Sequence, residues 1–205
     1  MNPARSFEDL VRWRRDVRRF RPDPVDPELI ENLIGLADLS PSVGNSQPWR
    51  IVEVRDKRLR AEIQACFKRA NDQAAAGYRE EKAELYGSLK LAGFDRAPVH
   101  VAIYCEQDAE QGARLGTRTM PEMLSYSCVS FVVTLWYAAQ AQGLGLGWVS
   151  ILRPGEVNAI LAVPSNWTLI GYLLLGWPEE EHEVPELERA GWQHRTAASS
   201  RRFVR

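Results

Sequence analysis

Apolar residues in SFEDLVRWRRDV recur near helical spacing at Phe7, Leu10, Val11 and Trp13, with Ser6 as N-cap and Asp9 three residues on, which predicts a first helix up to about Arg14. A proline-rich entry follows, then Asp26 as N-cap, Pro27 at the first helical position and Leu29, Ile30, Leu33, Ile34 and Leu36, predicting a second helix that ends before Ser40 and Pro41. WRIVEV (Trp49 to Val54) alternates like a strand. From Leu59 to Gly93 the chain is helix-compatible but mostly polar, so it is expected to act as a cover rather than as a core helix.

VHVAIYC (Val99 to Cys105) reads as a strand, and a polar, glycine-bearing loop leads to Pro121, which opens a long apolar helix closed by Gly143. A strand, LGWVSIL, a short helix, PGEVNAILAV, and a last strand, WTLIGYLLLGWP, come next. The near-continuous apolarity of that last strand predicts a sheet covered on both faces. The charged tail from Glu179 to Arg205 holds little core and is expected to wrap across a surface or another subunit. Helices and strands alternate without regular βαβ units, and with no repeat or linker the 205 residues are expected to form one domain.

Composition narrows the function. With 45% hydrophobic residues, 26% charged residues and a net charge of -1, no global field favours nucleic acid or a membrane. The first twenty residues are charged throughout and lack an apolar run, so neither a signal peptide nor a membrane span is expected, and a cytoplasmic location is. Cys66, Cys105 and Cys128 have no CxxC spacing and read as small hydrophobes in a reduced compartment; His100, His182 and His194 show no metal-ligand pattern.

Three stretches carry candidate chemistry. RRDVRRFRPDP places Arg14, Arg15, Arg18, Arg19 and Arg21 around Asp16 at a break between helices. Guanidinium forks there suit a phosphorylated ligand, and a solvated basic face is an equally weighted alternative. Asp16 is expected to ionise easily beside so much positive charge, and could either pair with an arginine or accept a proton from a ligand. PSVGNSQPW offers Ser42, Asn45, Ser46 and Gln47 as donors and acceptors, with Gly44 letting backbone approach a ligand, though such residues also dominate ordinary turns. GLGLGWVSIL follows a helix and opens a strand, the reverse of a dinucleotide-binding loop. Gly145 and Gly147 would instead admit a flat ring, with the Ser150 hydroxyl nearby, or simply allow tight packing of the preceding helix. Phe131, Trp136 and Tyr137 on the long helix read as core or subunit interface.

RRDVRRF, PSVGNSQPWRIVEV and GLGLGWVSIL, in this order and over nearly the whole chain, resemble the flavin-binding segments of the nitroreductase-like FMN family. LGTRTMPEMLSYS, GWVSIL and LGWPEEEHEVPELERAGWQHR resemble, more narrowly, its flavin-destructase branch. The resemblance implies an α+β fold, a mixed sheet flanked by helices, in a segment-swapped homodimer with FMN at the subunit interface. Arg14, Arg15, Asp16, Val17 and Arg18 would line the ribityl phosphate end, with Arg195 as a further phosphate contact. Ser42, Gly44, Asn45, Ser46 and Gln47 would reach FMN from the partner, and Val149 and Ser150 would face the ring. It further implies that reduced FMN, supplied by a separate reductase, is consumed with molecular oxygen to give 5,6-dimethylbenzimidazole and erythrose 4-phosphate. Asp16 and Ser150 would be catalytic, and Lys68 to Gly93 would form a lid. An NAD(P)H-dependent nitro- or quinone reductase and a non-catalytic flavin-binding protein are the alternatives.

Overall fold

The computed structural model describes residues 6–89 and 93–205. Residues 1–5 of the charged N-terminal segment and 90–92 of the polar cover stretch lie outside the described residues. Helix α1 (Phe7–Trp13) starts at a capping box in which the Asp9 N–H donates to Ser6 Oγ and the Ser6 N–H to the Asp9 carboxylate, both at 3.2 Å. Helix α2 (Pro27–Asp38) is capped by Asp26, whose carboxylate accepts from the Glu28 N–H at 2.9 Å, and it buries Ile30, Leu33 and Ala37.

Strand β1 (Trp49–Glu53), helices α3 (Lys57–Ala75), α4 (Glu80–Ser88) and α5 (Gly93–Arg96), and strand β2 (Val99–Glu106) follow. The long helix α6 (Met123–Ala141) ends in a Schellman turn: Gly143 takes φ +75°, its N–H donates to Gln140 O and the Leu144 N–H to Ala139 O. Strand β3 (Gly145–Val149), helix α7 (Pro154–Leu161), strand β4 (Trp167–Gly176) and helix α8 (Glu186–Arg189) complete the chain's labelled elements.

The strands lie in the order β1-β2-β4-β3, and every neighbouring pair is antiparallel. The expected mixed sheet is thus corrected: the parallel component is a single bridge between Asp16 and Leu146. Side chains of β4 alternate between two cores, as its unbroken apolarity predicts. Leu173 and Leu175 join Phe131, Val132, Leu135 and Leu33 under α6 and α2, while Tyr172 and Leu174 join Ile63, Phe67, Phe94 and Phe20 on the opposite face. His100 is enclosed in the sheet with its Nδ1 3.0 Å from the Tyr172 hydroxyl, and burial lowers its pKa to about 4.

The polar stretch after Leu59 needs a second correction. Helix α3 is a core helix along one side, because Ile63, Cys66 and Phe67 fall at i, i+3 and i+4 and are buried. Its charged outer face masks that stripe in the sequence. Helix α4 does behave as a cover and buries none of its residues. Among the described residues no helix is long and apolar enough to cross a membrane.

Candidate active site

Residues 14–21 leave α1 and run along the outer edge of β3 as a strap held by several backbone bonds. The Val17 N–H donates to Leu146 O at 3.0 Å, and the Arg21 N–H to Trp177 O at 2.8 Å, with Phe20 fully buried between them. Gly145 and Gly147 of GLGLGW make room for this strap, while Gly143 serves the turn that closes α6. A Cβ on Gly145 would stand 2.7 Å from Val17 Cγ2, and one on Gly147 would stand 2.3 Å from the Val17 carbonyl oxygen. What the structure places against these glycines is the backbone and side chain of Val17, and not the preceding helix.

The strap delivers Asp16 to the end of β3. Its Oδ1 accepts from the Trp148 N–H at 2.9 Å, and Arg18 Nε lies 3.3 Å from Oδ2. The expectation that Asp16 ionises easily is overturned: its pKa is raised, because desolvation outweighs the Trp148 hydrogen bond and the Arg18 charge. The other arginines of the cluster point elsewhere. Arg14 stacks on Trp136, with Cζ 4.3 Å from the ring centre; Arg15 donates from Nε to Glu183 O at 2.7 Å; Arg19 pairs with Glu180 and Glu186; and Arg21 with Asp23. Only Arg18 is left to favour the carboxylate directly.

Asp16, Val17 and Arg18 form one wall of a cavity of about 230 Å³, and Gly147, Trp148, Val149, Ser150 and Ile151 form the next. The Ser150 side chain makes no hydrogen bond to the described residues, so its hydroxyl is free for a ligand. Phe94 and Leu174 supply the apolar floor, while Asn71 on α3, Tyr86 on α4, and Leu187 and Trp192 of the tail close the outer side. Sequence reasoning missed Phe94 as a lining residue; Asn71 stood inside the Lys68–Gly93 lid, and Leu187 inside LGWPEEEHEVPELERAGWQHR, without individual roles. Trp192 stood inside the GWQHR motif but carried no role there.

Arg15 and Arg195 come close enough to repel. Burial, then the charges of Arg195 and Arg14, lower the Arg15 pKa. The Ser42–Gln47 turn lies apart from the cavity, against the loop 107–121. Ser42 Oγ accepts from the Gln47 N–H at 3.1 Å, and Gln111 Nε2 donates to Asn45 O and Gln47 Oε1, each at 2.7 Å. Gly44 (φ +58°) meets this same loop, with a hypothetical Cβ 3.0 Å from Gly112 O and Leu115 O; Ser46 Oγ is buried without a partner. Within one chain, then, the structure brings Asp16, Val17, Arg18, Val149 and Ser150 together and Arg15 toward Arg195. It leaves Arg14 and the 42–47 turn outside.

The chain belongs to the nitroreductase family, whose model matches residues 11–177. Within that family it is 52% identical over 194 residues, covering 93% of this chain and 92% of the relative, to 5,6-dimethylbenzimidazole synthase of Rhodospirillum rubrum. It is 45% identical, with 92% and 91% covered, to the enzyme of the same name from Rhodobacter capsulatus. A crystal structure of oxidized iodotyrosine deiodinase bound to FMN and 3-iodo-L-tyrosine shares the fold, with a TM-score of 0.74, 24% identity, and 86% of this chain and 92% of that one covered.

Proposed function

We propose that this chain is a 5,6-dimethylbenzimidazole synthase that takes reduced FMN as its substrate and, with molecular oxygen as oxidant, cleaves it to 5,6-dimethylbenzimidazole, erythrose 4-phosphate and a third fragment that carries off the four carbons of the flavin's pyrimidine ring. The observation that carries this reading is the meeting of Asp16, held by the Trp148 N–H, and the Ser150 hydroxyl at one cavity, in a chain 52% identical to a relative bearing that name. The residues fit a flavin. Val17, Phe94, Trp148 and Leu174 give a planar apolar ring its contacts, and backbone from Gly147 to Ser150 runs along the same wall. A phosphate held by Arg15, Arg18 and Arg195, with Arg14 swinging off Trp136 to join them, would relieve the repulsion between like charges.

Asp16 holds the proton that moves during carbon-carbon cleavage, and its raised pKa suits the role, since a carboxyl that titrates nearer neutrality can both accept and return a proton. Its bond from the Trp148 N–H fixes one oxygen and leaves the other toward the cavity and Arg18. Ser150 orients the ring through its hydroxyl. The Asn71, Tyr86 and Trp192 wall excludes water.

The site is completed in a homodimer. At about 230 Å³ the cavity is smaller than the roughly 300–1,000 Å³ of ligand pockets in general. Helix α1 buries none of its residues, and Tyr126, Val129 and Val133 form an exposed apolar stripe along α6. Across this interface Ser42, Gly44, Asn45, Ser46 and Gln47 reach the partner's flavin. A separate cytoplasmic reductase supplies reduced FMN.

The test is anaerobic loading with chemically reduced FMN, admission of air, and product analysis by mass spectrometry. The reading expects the benzimidazole to appear as FMN disappears. Intact oxidised FMN with hydrogen peroxide as the only other product overturns it. Sustained turnover with NADH alone would then favour the reductase reading, to which a 33%-identical Thermus thermophilus relative named NADH dehydrogenase lends weight.

A further inference from the structure

Helix α4 covers the cavity with little to hold it down. It buries no side chain, its N-cap makes no side-chain hydrogen bond, and its first residue, Glu80, sits at φ +53°, a strained conformation for a residue with a side chain. Among the described residues one side-chain hydrogen bond ties it to α3, from the Tyr86 hydroxyl to Asn71 Oδ1 at 2.7 Å. Further contacts reach Trp192 in the C-terminal tail. Lys82 Nζ donates to the Trp192 carbonyl at 2.9 Å and lies 4.4 Å from the centre of its ring. Tyr78 meets that ring edge-on at 5.3 Å while stacking on Tyr86 at 4.8 Å.

The tail is anchored in turn at the arginine strap. Arg15 donates to Glu183 O, and Arg19 pairs with Glu180 and Glu186. Tyr86 and Trp192 both line the cavity that Asp16 and Ser150 enter.

We infer that Trp192 is a positioning residue, a latch through which the C-terminal tail holds α4 closed over the flavin, with Lys82 as its fastener. This rests on the flavin reading of the cavity. The two contacts of Lys82 are exposed, so the closed state exceeds the open one by a modest factor. Removing them is expected to open the lid about fivefold to tenfold more often. Lys82 does not line the cavity, so its replacement opens the lid without altering the walls.

The experiment loads Lys82→Met, Trp192→Ala and Trp192→Phe with oxidised FMN, then measures quenching of bound-flavin fluorescence by iodide and the rate of FMN dissociation. Both quantities are expected to rise about fivefold to tenfold in Lys82→Met and Trp192→Ala. Trp192→Phe, which keeps an aromatic face for Lys82 and Tyr78, should rescue most of the loss; the main-chain carbonyl is common to all the position-192 variants. The stability of Lys82→Met to urea should fall by no more than that fivefold to tenfold factor corresponds to, about 1–1.4 kcal/mol at unchanged slope, whereas loss of a structural prop would exceed it. Values in Lys82→Met and Trp192→Ala within about twofold of the parent would overturn the latch, and Lys82→Met alone decides the matter should Trp192→Ala fail to fold. With reduced FMN and air, Lys82→Met should also divert flavin from benzimidazole to hydrogen peroxide. If the parent protein makes no benzimidazole while Lys82→Met still releases FMN faster, the latch stands and the proposed reaction falls.

Discussion

Gly147→Ala should damage fold and site together. The added Cβ would lie 2.3 Å from the Val17 carbonyl oxygen, a backbone atom that cannot turn aside as a flexible side chain can. Overpacking of this kind costs about 1–3 kcal/mol by itself. The strap must also lift off β3, straining the bond from the Val17 N–H to Leu146 O and the bond from the Trp148 N–H to Asp16, worth about 1 kcal/mol for the first and up to about 3 for the second if the carboxylate is ionised. Together these give an expected loss of about 2–7 kcal/mol, a large part of the roughly 5–15 kcal/mol that holds a protein folded. Urea unfolding measures it as a lower midpoint at unchanged slope. Gly155→Ala is the matched control. Nothing lies within 4 Å of its hypothetical Cβ, and in helix α7 alanine should be neutral or stabilising by up to about 1 kcal/mol. A Gly147→Ala protein within about 0.5 kcal/mol of the parent, with unchanged affinity for reduced FMN, would refute this account of the motif.

Asp16→Asn keeps the acceptor for the Trp148 N–H but cannot take up a proton, so benzimidazole formation should stop while reduced FMN still binds; product at the parent rate would remove Asp16 from the chemistry. Arg18→Ala should weaken reduced-FMN binding by about 1.5–3 kcal/mol and push the Asp16 pKa further up, since Arg18 now lowers it, so any pH-rate limb set by Asp16 should move to higher pH. Buried His100 has a folded pKa of about 4 against an ordinary 6.5, so the unfolded chain takes its proton first. Its contribution to stability is full above about 6.5 and drains away as pH falls toward 4, by about 3 kcal/mol in all. His100→Gln should flatten that part of the stability-pH curve, and equal slopes in the two proteins would exclude His100 as the cause.

Elements with strong periodicity or punctuation were legible from residues alone. The Ser6 capping box, the Asp26–Pro27 start of α2 and the Gly143 end of α6 are local devices, fixed by neighbours in the chain. Helix α3 was misjudged because Ile63, Cys66 and Phe67 are few among charged neighbours, and only tertiary packing reveals that this narrow stripe meets the second core. The same limit applies at the site. Counting arginines around Asp16 suggested a lowered pKa, yet charges count by where guanidinium groups point, and four of the five are turned to Trp136, Glu183, Glu180 and Asp23. GLGLGW announced a close approach but could not name Val17 as its visitor, because the two segments are joined by a bridge spanning most of the chain.

Strand β4 has a consequence for how this chain can change over generations. Tyr172 and Leu174 serve one core while Leu173 and Leu175 serve the other, and Gly171 leaves the space that the Trp148 indole crosses. Each leucine of LLL tolerates a swap for another aliphatic residue far better than its removal. Deleting a single one turns every following side chain to the opposite face and carries the Trp177 carbonyl away from Arg21. Length variation should therefore accumulate in loops such as 107–121, while β4 keeps its residue count even as its composition drifts.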